Sequence, residues 1–197
     1  GYTWKNSADA QGPVYKWVDI KTIGTQITGL GDDNSKGSFN LNWKFHYYWS
    51  DYSKVWVGSN GWVAFQNVGN IAATFEPLPS AKSKNTLAAM LCDLTFTQNN
   101  NSAVPGATAW YWTNSVDKFI IQYDSVPYWV DPAVNPAAYS GRYTFQIILS
   151  GADSSVVFQY KLTDAGTEPY DLAGEGLYTG IENSTGQIAL QVLGNEF

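Results

Sequence analysis

Apolar residues along this chain recur at every second position far more often than at helical spacing. Phe39, Leu41, Trp43 and Phe45 alternate with Asn40, Asn42, Lys44 and His46, a period of two that predicts a strand with one wet face. Tyr143, Phe145, Ile147 and Leu149 alternate with Thr144, Gln146 and Ile148, and the pattern resumes at Val156, Phe158 and Tyr160 after the turn at Gly151, Ala152 and Asp153. Shorter strands are predicted over 15–20, 25–27, 87–94, 107–113, 118–123, 177–181 and 188–192, divided by clusters of Gly, Asn, Ser and Pro. Pro127, Pro132 and Pro136 predict an excursion from the sheet over 127–141. No window keeps apolar residues at helical spacing for long; the nearest approach is 81–91.

The segment from Val55 to Phe65 predicts a hairpin centred on Asn60-Gly61. A two-residue turn would set Val57 opposite Ala64 and mix large and small groups on both faces. A three-residue loop, Ser59-Asn60-Gly61 with Gly61 in the left-handed region, sets Val57 opposite Val63 and Val55 opposite Phe65, collecting the aliphatic side chains on one face. The second register is preferred. It turns Trp56 and Trp62 to the other face, where another layer covers them or a ligand meets them.

Many short strands with no helical segments between them predict an all-β fold, a two-layer antiparallel β-sandwich of jelly-roll-like kind with long loops and little helix. At 197 residues the chain fits a single domain, 1–197. The expected core includes Phe39, Leu41, Trp43, Phe45, Val57, Val63, Phe65, Phe145, Ile147, Leu149 and Phe158.

Charge narrows the partners. A formal net charge of −6 opposes a nucleic acid, whose phosphates call for clustered Lys and Arg, and no apolar run is long enough to span a membrane. Cys92, the single cysteine, lies in an apolar run and reads as a buried small hydrophobe. A chain poor in charge and cysteine, rich in Asn, Ser, Thr and aromatics and starting without Met is expected to be a piece of a larger secreted or cell-surface protein of bacterial type.

His46, the only histidine, sits on the polar side of its strand, and no Gly-x-Ser-x-Gly elbow offers it a nucleophile. Paired carboxylates for glycoside hydrolysis could come from Asp93, Asp124, Asp131, Glu175 or Glu182, although Asp93 and Glu182 read more simply as strand-end hydrogen-bond acceptors. Asp32, Asp33 and Asn34, in a loop flanked by glycines, offer hard oxygens suited to Ca²⁺ but lack the EF-hand pattern; an Asx-type turn is the simpler reading. The chain has 9 Trp, more than one sandwich core readily absorbs. Trp56 with Trp62, Trp110 with Trp112, and Trp129 are the candidate ligand-binding positions, since flat apolar faces bordered by Asn and Gln suit sugar rings.

As an ordered set, Val55-Trp56-Val57-Gly58-Ser59-Asn60-Gly61-Trp62-Val63-Ala64-Phe65, Leu87 to Leu94 with its Asp93-Leu94 ending, Phe119 to Tyr123, Phe145 to Leu149, Val157 to Tyr160 and Gly180-Ile181-Glu182-Asn183 resemble a secreted β-sandwich module of the nidogen type. The resemblance spans roughly residues 39–192 and leaves out the first 38. It implies an accessory domain in a multidomain secreted or surface protein and brings no catalytic residue with it. The expected function is a non-catalytic extracellular module with a structural or adhesive role, with a glycan, through the tryptophans, or another surface protein as the expected partner. The alternatives are a glycan-active hydrolase and a protein–protein interaction domain.

Overall fold

The computed structural model describes residues 1–72, 75–98, 103–129, 140–164 and 176–194. The strands are β1 (Thr25–Ile27), β2 (Ser35–Tyr47), β3 (Ser50–Gly58), β4 (Trp62–Ala64), β5 (Thr86–Leu91), β6 (Thr108–Thr113), β7 (Lys118–Tyr128), β8 (Ser140–Ser150), β9 (Ser155–Asp164), β10 (Tyr178–Glu182) and β11 (Ala189–Gly194). No helix occurs among the described residues, so none is long and apolar enough to cross a membrane. Two antiparallel sheets pack face to face, one in the order β1-β6-β7-β8-β9 and the other in the order β11-β10-β5-β4-β3-β2. The chain is an all-β sandwich, as its alternating pattern predicts.

The period of two decides which side chains meet between the sheets. Leu41, Phe45, Val57, Val63 and Phe65 from one sheet and Phe145, Ile147 and Leu149 from the other are buried in one core, with Phe39, Trp43 and Phe158 packed half-buried around it. In the hairpin of β3 and β4, Trp56 pairs with Ala64 and Val57 with Val63, and Gly61 has φ +75°. The three-residue loop is therefore the one that forms.

Both outer faces carry a cover. On the six-stranded sheet, Ile71, Phe75 and Leu78 from the long connection between β4 and β5 close over Trp62, Ala64, Ala88, Leu91 and Tyr178. On the five-stranded sheet, Gln122, Gln146 and Gln159 stand side by side across β7, β8 and β9 and are all buried. The Gln159 amide donates to Gln146 Oε1 and the Gln146 amide to Gln122 Oε1, both at 2.7 Å. An N-terminal strap crosses this row: Lys16 donates its N–H to Gln159 Oε1 at 3.3 Å and accepts from the Gln159 amide at 3.0 Å, Val18 O accepts from Gln146, and the Ile20 N–H points to Gln122 Oε1 at 3.4 Å. A buried amide left without partners costs about 1–3 kcal/mol, so the strap is part of the domain.

The strap corrects one expectation. Residues 15–20 have the alternation of a strand, but glutamine side chains stand where backbone partners would, and no ladder forms. Pro127 corrects another: it lies buried within β7, not in an excursion. The register shifts between Tyr123 and Val126 and again between Val126 and Tyr128, and at such a bulge the missing N–H of proline breaks no regular ladder bond. Residues 130–139, with Pro132 and Pro136, lie outside the described residues.

Candidate functional site

Strand β6 follows the same alternation and faces two ways. Ala109 is buried, and Tyr111 points inward, its ring 4.7 Å from Phe39 and 5.7 Å from Phe119; Trp110 and Trp112 therefore lie on the outer side. Thr113 crosses to the other sheet, its hydroxyl donating to Leu41 O at 3.0 Å. Where β1 and β6 of one sheet meet β2 of the other lies a groove of about 460 Å³, lined by Ile23, Gly24, Thr25, Ser38, Phe39, Asn40, Asn42, Tyr111, Trp112 and Thr113. That volume lies in the roughly 300–1,000 Å³ range of small-ligand sites. None of these residues is charged. The amide of Asn40 and the hydroxyls of Ser38 and Thr25 make no hydrogen bond among the described residues, while Asn42 donates to Ser115 Oγ at 3.1 Å.

The other candidate tryptophans are spread over the molecule. Trp110, two positions from Trp112 on the same face, is half-buried, donates its indole N–H to Thr108 Oγ1 at 3.0 Å and pairs in register with Gln122. Trp62 is enclosed, 1% exposed, under the connection between β4 and β5. Trp56 is half-buried against Gly37. Trp129, half-buried beyond the end of β7, donates its N–H to Asp93 O at 2.8 Å. Trp56 and Trp62 share a face, as the hairpin register requires, but Trp62 offers no ring to solvent. Sequence reasoning missed the contribution of Phe39, Tyr111 and the wet side of β2 to the groove. The polar stripe of Asn40 and Asn42 was a usable signal; the approach of β2 in one sheet to β6 in the other, some seventy residues along the chain, was not.

Asn60, at the hairpin tip, is 1% exposed and holds three segments together. Its amide donates to Asp33 Oδ1 and to Ile71 O, both at 2.9 Å, and its oxygen accepts from the Leu94 N–H at 3.0 Å. Beside it Ser59 donates its N–H to Asn34 O at 2.8 Å, and Gly61 O accepts from Met90 at 3.2 Å. The Ser-Asn-Gly and Asp-Leu motifs, far apart in sequence, are thus two halves of one junction. The sequence model of the family described as NIDO related matches residues 3–196. The chain belongs to the NIDO-related family. The match takes in the N-terminal strap as well as residues 39–192, consistent with the burial of the strap's partners. No functionally described protein and no solved structure matches the chain.

In this NIDO-related domain the loop over Asp32, Asp33 and Asn34 is closed from within. Asn34 Oδ1 accepts from the Gly31 N–H at 2.8 Å and its amide donates to Gly29 O at 2.9 Å, while Asp33 Oδ1 accepts from Asn60. Ca²⁺ takes about six to eight oxygens, and no group of three or more His, Cys, Asp or Glu side chains suited to a metal occurs among the described residues. Asp32 Oδ1 is buried without a partner. Burial pushes the Asp32 carboxyl up to about 6, against the hydrogen bond from Thr95 and with help from the charge of Asp33. The neutral acid is the form the fold favours, so its contribution to stability is full below the usual carboxylate range and is lost as pH rises through about 6. Asp32→Asn is therefore expected to raise the thermal midpoint at pH 7 and to flatten the loss of stability between pH 4 and 7. A Ca²⁺-dependent rise in the wild-type midpoint that the variant lacks would instead show that this loop holds the ion.

Two of the carboxylates considered for hydrolysis, Glu182 and Asp124, are tied into the fold. Glu182 is fully buried; Oε1 accepts from the Ser80 N–H at 3.0 Å and Oε2 from the Ser83 hydroxyl at 2.7 Å. Burial pushes its carboxyl up, and those two bonds with the charge of Lys84 hold it down. Asp124 pairs with Lys21 at 2.6 Å. Asp93 is buried after β5, where its carbonyl holds Trp129. Asp131 and Glu175 lie outside the described residues. His46 is exposed, with Nδ1 2.8 Å from Asp51 Oδ1.

Proposed function

We propose that this NIDO-related domain is a non-catalytic extracellular module of a multidomain secreted or cell-surface protein of bacterial type, adhesive in role, and that it binds carbohydrate. The observation that carries this reading is the groove beside Trp112. It joins aromatic surface from Phe39, Tyr111 and Trp112 to the amide and hydroxyl groups of Asn40, Ser38 and Thr25 without a charged side chain. A sugar ring presents C–H groups on its faces and hydroxyls at its rim, which matches that combination. Trp110, on the same face of β6, extends the aromatic surface away from the groove.

The test is intrinsic tryptophan fluorescence titrated with a panel of polysaccharides, with and without Ca²⁺. A quench or shift with at least one glycan is expected, lost in Trp112→Ala while the far-ultraviolet circular dichroism spectrum stays that of a β-protein. No response to any glycan would leave a structural module as the surviving account. A second reading, a protein–protein interaction domain, draws on β9, an edge strand ten residues long that carries exposed Tyr160 and Leu162. An oligomer or a captured partner protein that Leu162→Lys abolishes would favour it.

A further inference from the structure

We infer that the groove selects a neutral glycan and excludes uronic and sulfated ones, an assignment that rests on the carbohydrate-binding reading above. The lining is the first argument. An anionic sugar taken from water needs Arg, Lys or a cluster of backbone N–H donors, and none of the ten lining residues is cationic. The free polar groups are the second. The amide of Asn40 and the hydroxyls of Ser38 and Thr25 each donate and accept, as a sugar hydroxyl does, whereas a carboxylate or sulfate only accepts and would leave their acceptor sides unmatched. The third is long-range: a formal net charge of −6 repels polyanions from the surface as a whole.

An extended peptide fits this edge less well. Strand β2 changes register between Phe39 and Gly37 and again between Asn40 and Phe45, Asn42 has φ +70°, and the Leu41 carbonyl is already taken by Thr113. So irregular an edge gives an added strand no continuous row of partners. A ligand recognised by its faces and hydroxyls makes no such demand.

The experiment is calorimetric titration of the whole chain with neutral probes, a soluble β-glucan, a galactomannan and a xylan, and acidic probes, polygalacturonate and alginate, each at low and high salt. At least one neutral probe is expected to bind with the same affinity at both salt concentrations, since a neutral contact is not screened, and the acidic probes are expected not to bind. Asn40→Ala is expected to weaken the neutral probe by about three- to tenfold through the lost hydrogen bonds, and because Asn40 is exposed the fold should persist. Salt-sensitive binding of an acidic probe, abolished by Trp112→Ala, would overturn the neutral class and keep the groove as a glycan site. Failure of every glycan, or displacement of the neutral probe by an extended peptide selected from a random library, would overturn the class and the carbohydrate-binding reading together.

Discussion

Gly61→Ala is expected to be among the most destabilising single changes in the domain, leaving little folded protein at moderate temperature. Two effects add. Gly61 has φ +75°, a conformation that costs an L-residue about 1–2 kcal/mol. A Cβ there would also stand 1.9 Å from Met90 O, and that carbonyl cannot retreat without disturbing β5 and the bond between the Met90 N–H and Gly61 O. The junction of Asn60 with Asp33, Ile71 and Leu94 depends on the same backbone turn. Gly69→Ala separates the two effects, because Gly69 has nearly the same φ, +73°, and nothing within 4 Å of the added Cβ. Urea denaturation should show a loss of about 1–2 kcal/mol for Gly69→Ala and about 4 kcal/mol or more for Gly61→Ala. Equal losses would show that the close approach to β5 does not matter.

The second large effect is expected at Phe145, fully buried at the centre of β8. Its ring stacks on Tyr123 with centroids 4.5 Å apart and planes at 13°. Tyr123 in turn donates its hydroxyl to the carbonyls of Gly58, at 2.7 Å, and Trp62, at 3.0 Å, so the stack braces the hairpin loop from inside the core. Phe145→Ala is expected to cost about 3–5 kcal/mol, a large share of a typical domain stability of about 5–15 kcal/mol. Phe158→Ala, at a half-buried position on the rim of the same core, should cost clearly less. Thermal or urea unfolding of the two variants side by side checks the order, and a larger loss at Phe158 would contradict the placement of the core.

Much of this architecture was legible because the sandwich is written in a period of two. Alternation alone placed β2 and β8 and the side of each that faces inward, and the need to gather aliphatic groups on one face chose the three-residue loop at Gly61. Side-chain chemistry that replaces backbone pairing was not legible. Residues 15–20 look like a strand, and only the row formed by Gln122, Gln146 and Gln159 shows why they lie flat on the sheet without a ladder. Pro127 looked incompatible with a strand because a bulge leaves no local mark. For the site, the outward pair Trp110 and Trp112 could be read from β6 alone. The enclosure of Trp62 could not, because the residues that cover it, Ile71, Phe75 and Leu78, sit in a connection without periodicity. The same limit hid the groove, whose walls come from the two different sheets and meet only in the folded sandwich.

The central claim, that ligand recognition occurs at the groove beside Trp112, is tested most directly by the indole N–H signals of the 9 tryptophans in a ¹⁵N-labelled sample titrated with a glycan that binds. The account predicts progressive shifts of Trp112, smaller shifts of its strand neighbour Trp110, and unmoved signals from enclosed Trp62 and from Trp49, which is 70% exposed at the far tip of the β2–β3 hairpin. Shifts centred on Trp49, Trp56 or Trp129 with Trp112 unmoved would contradict it.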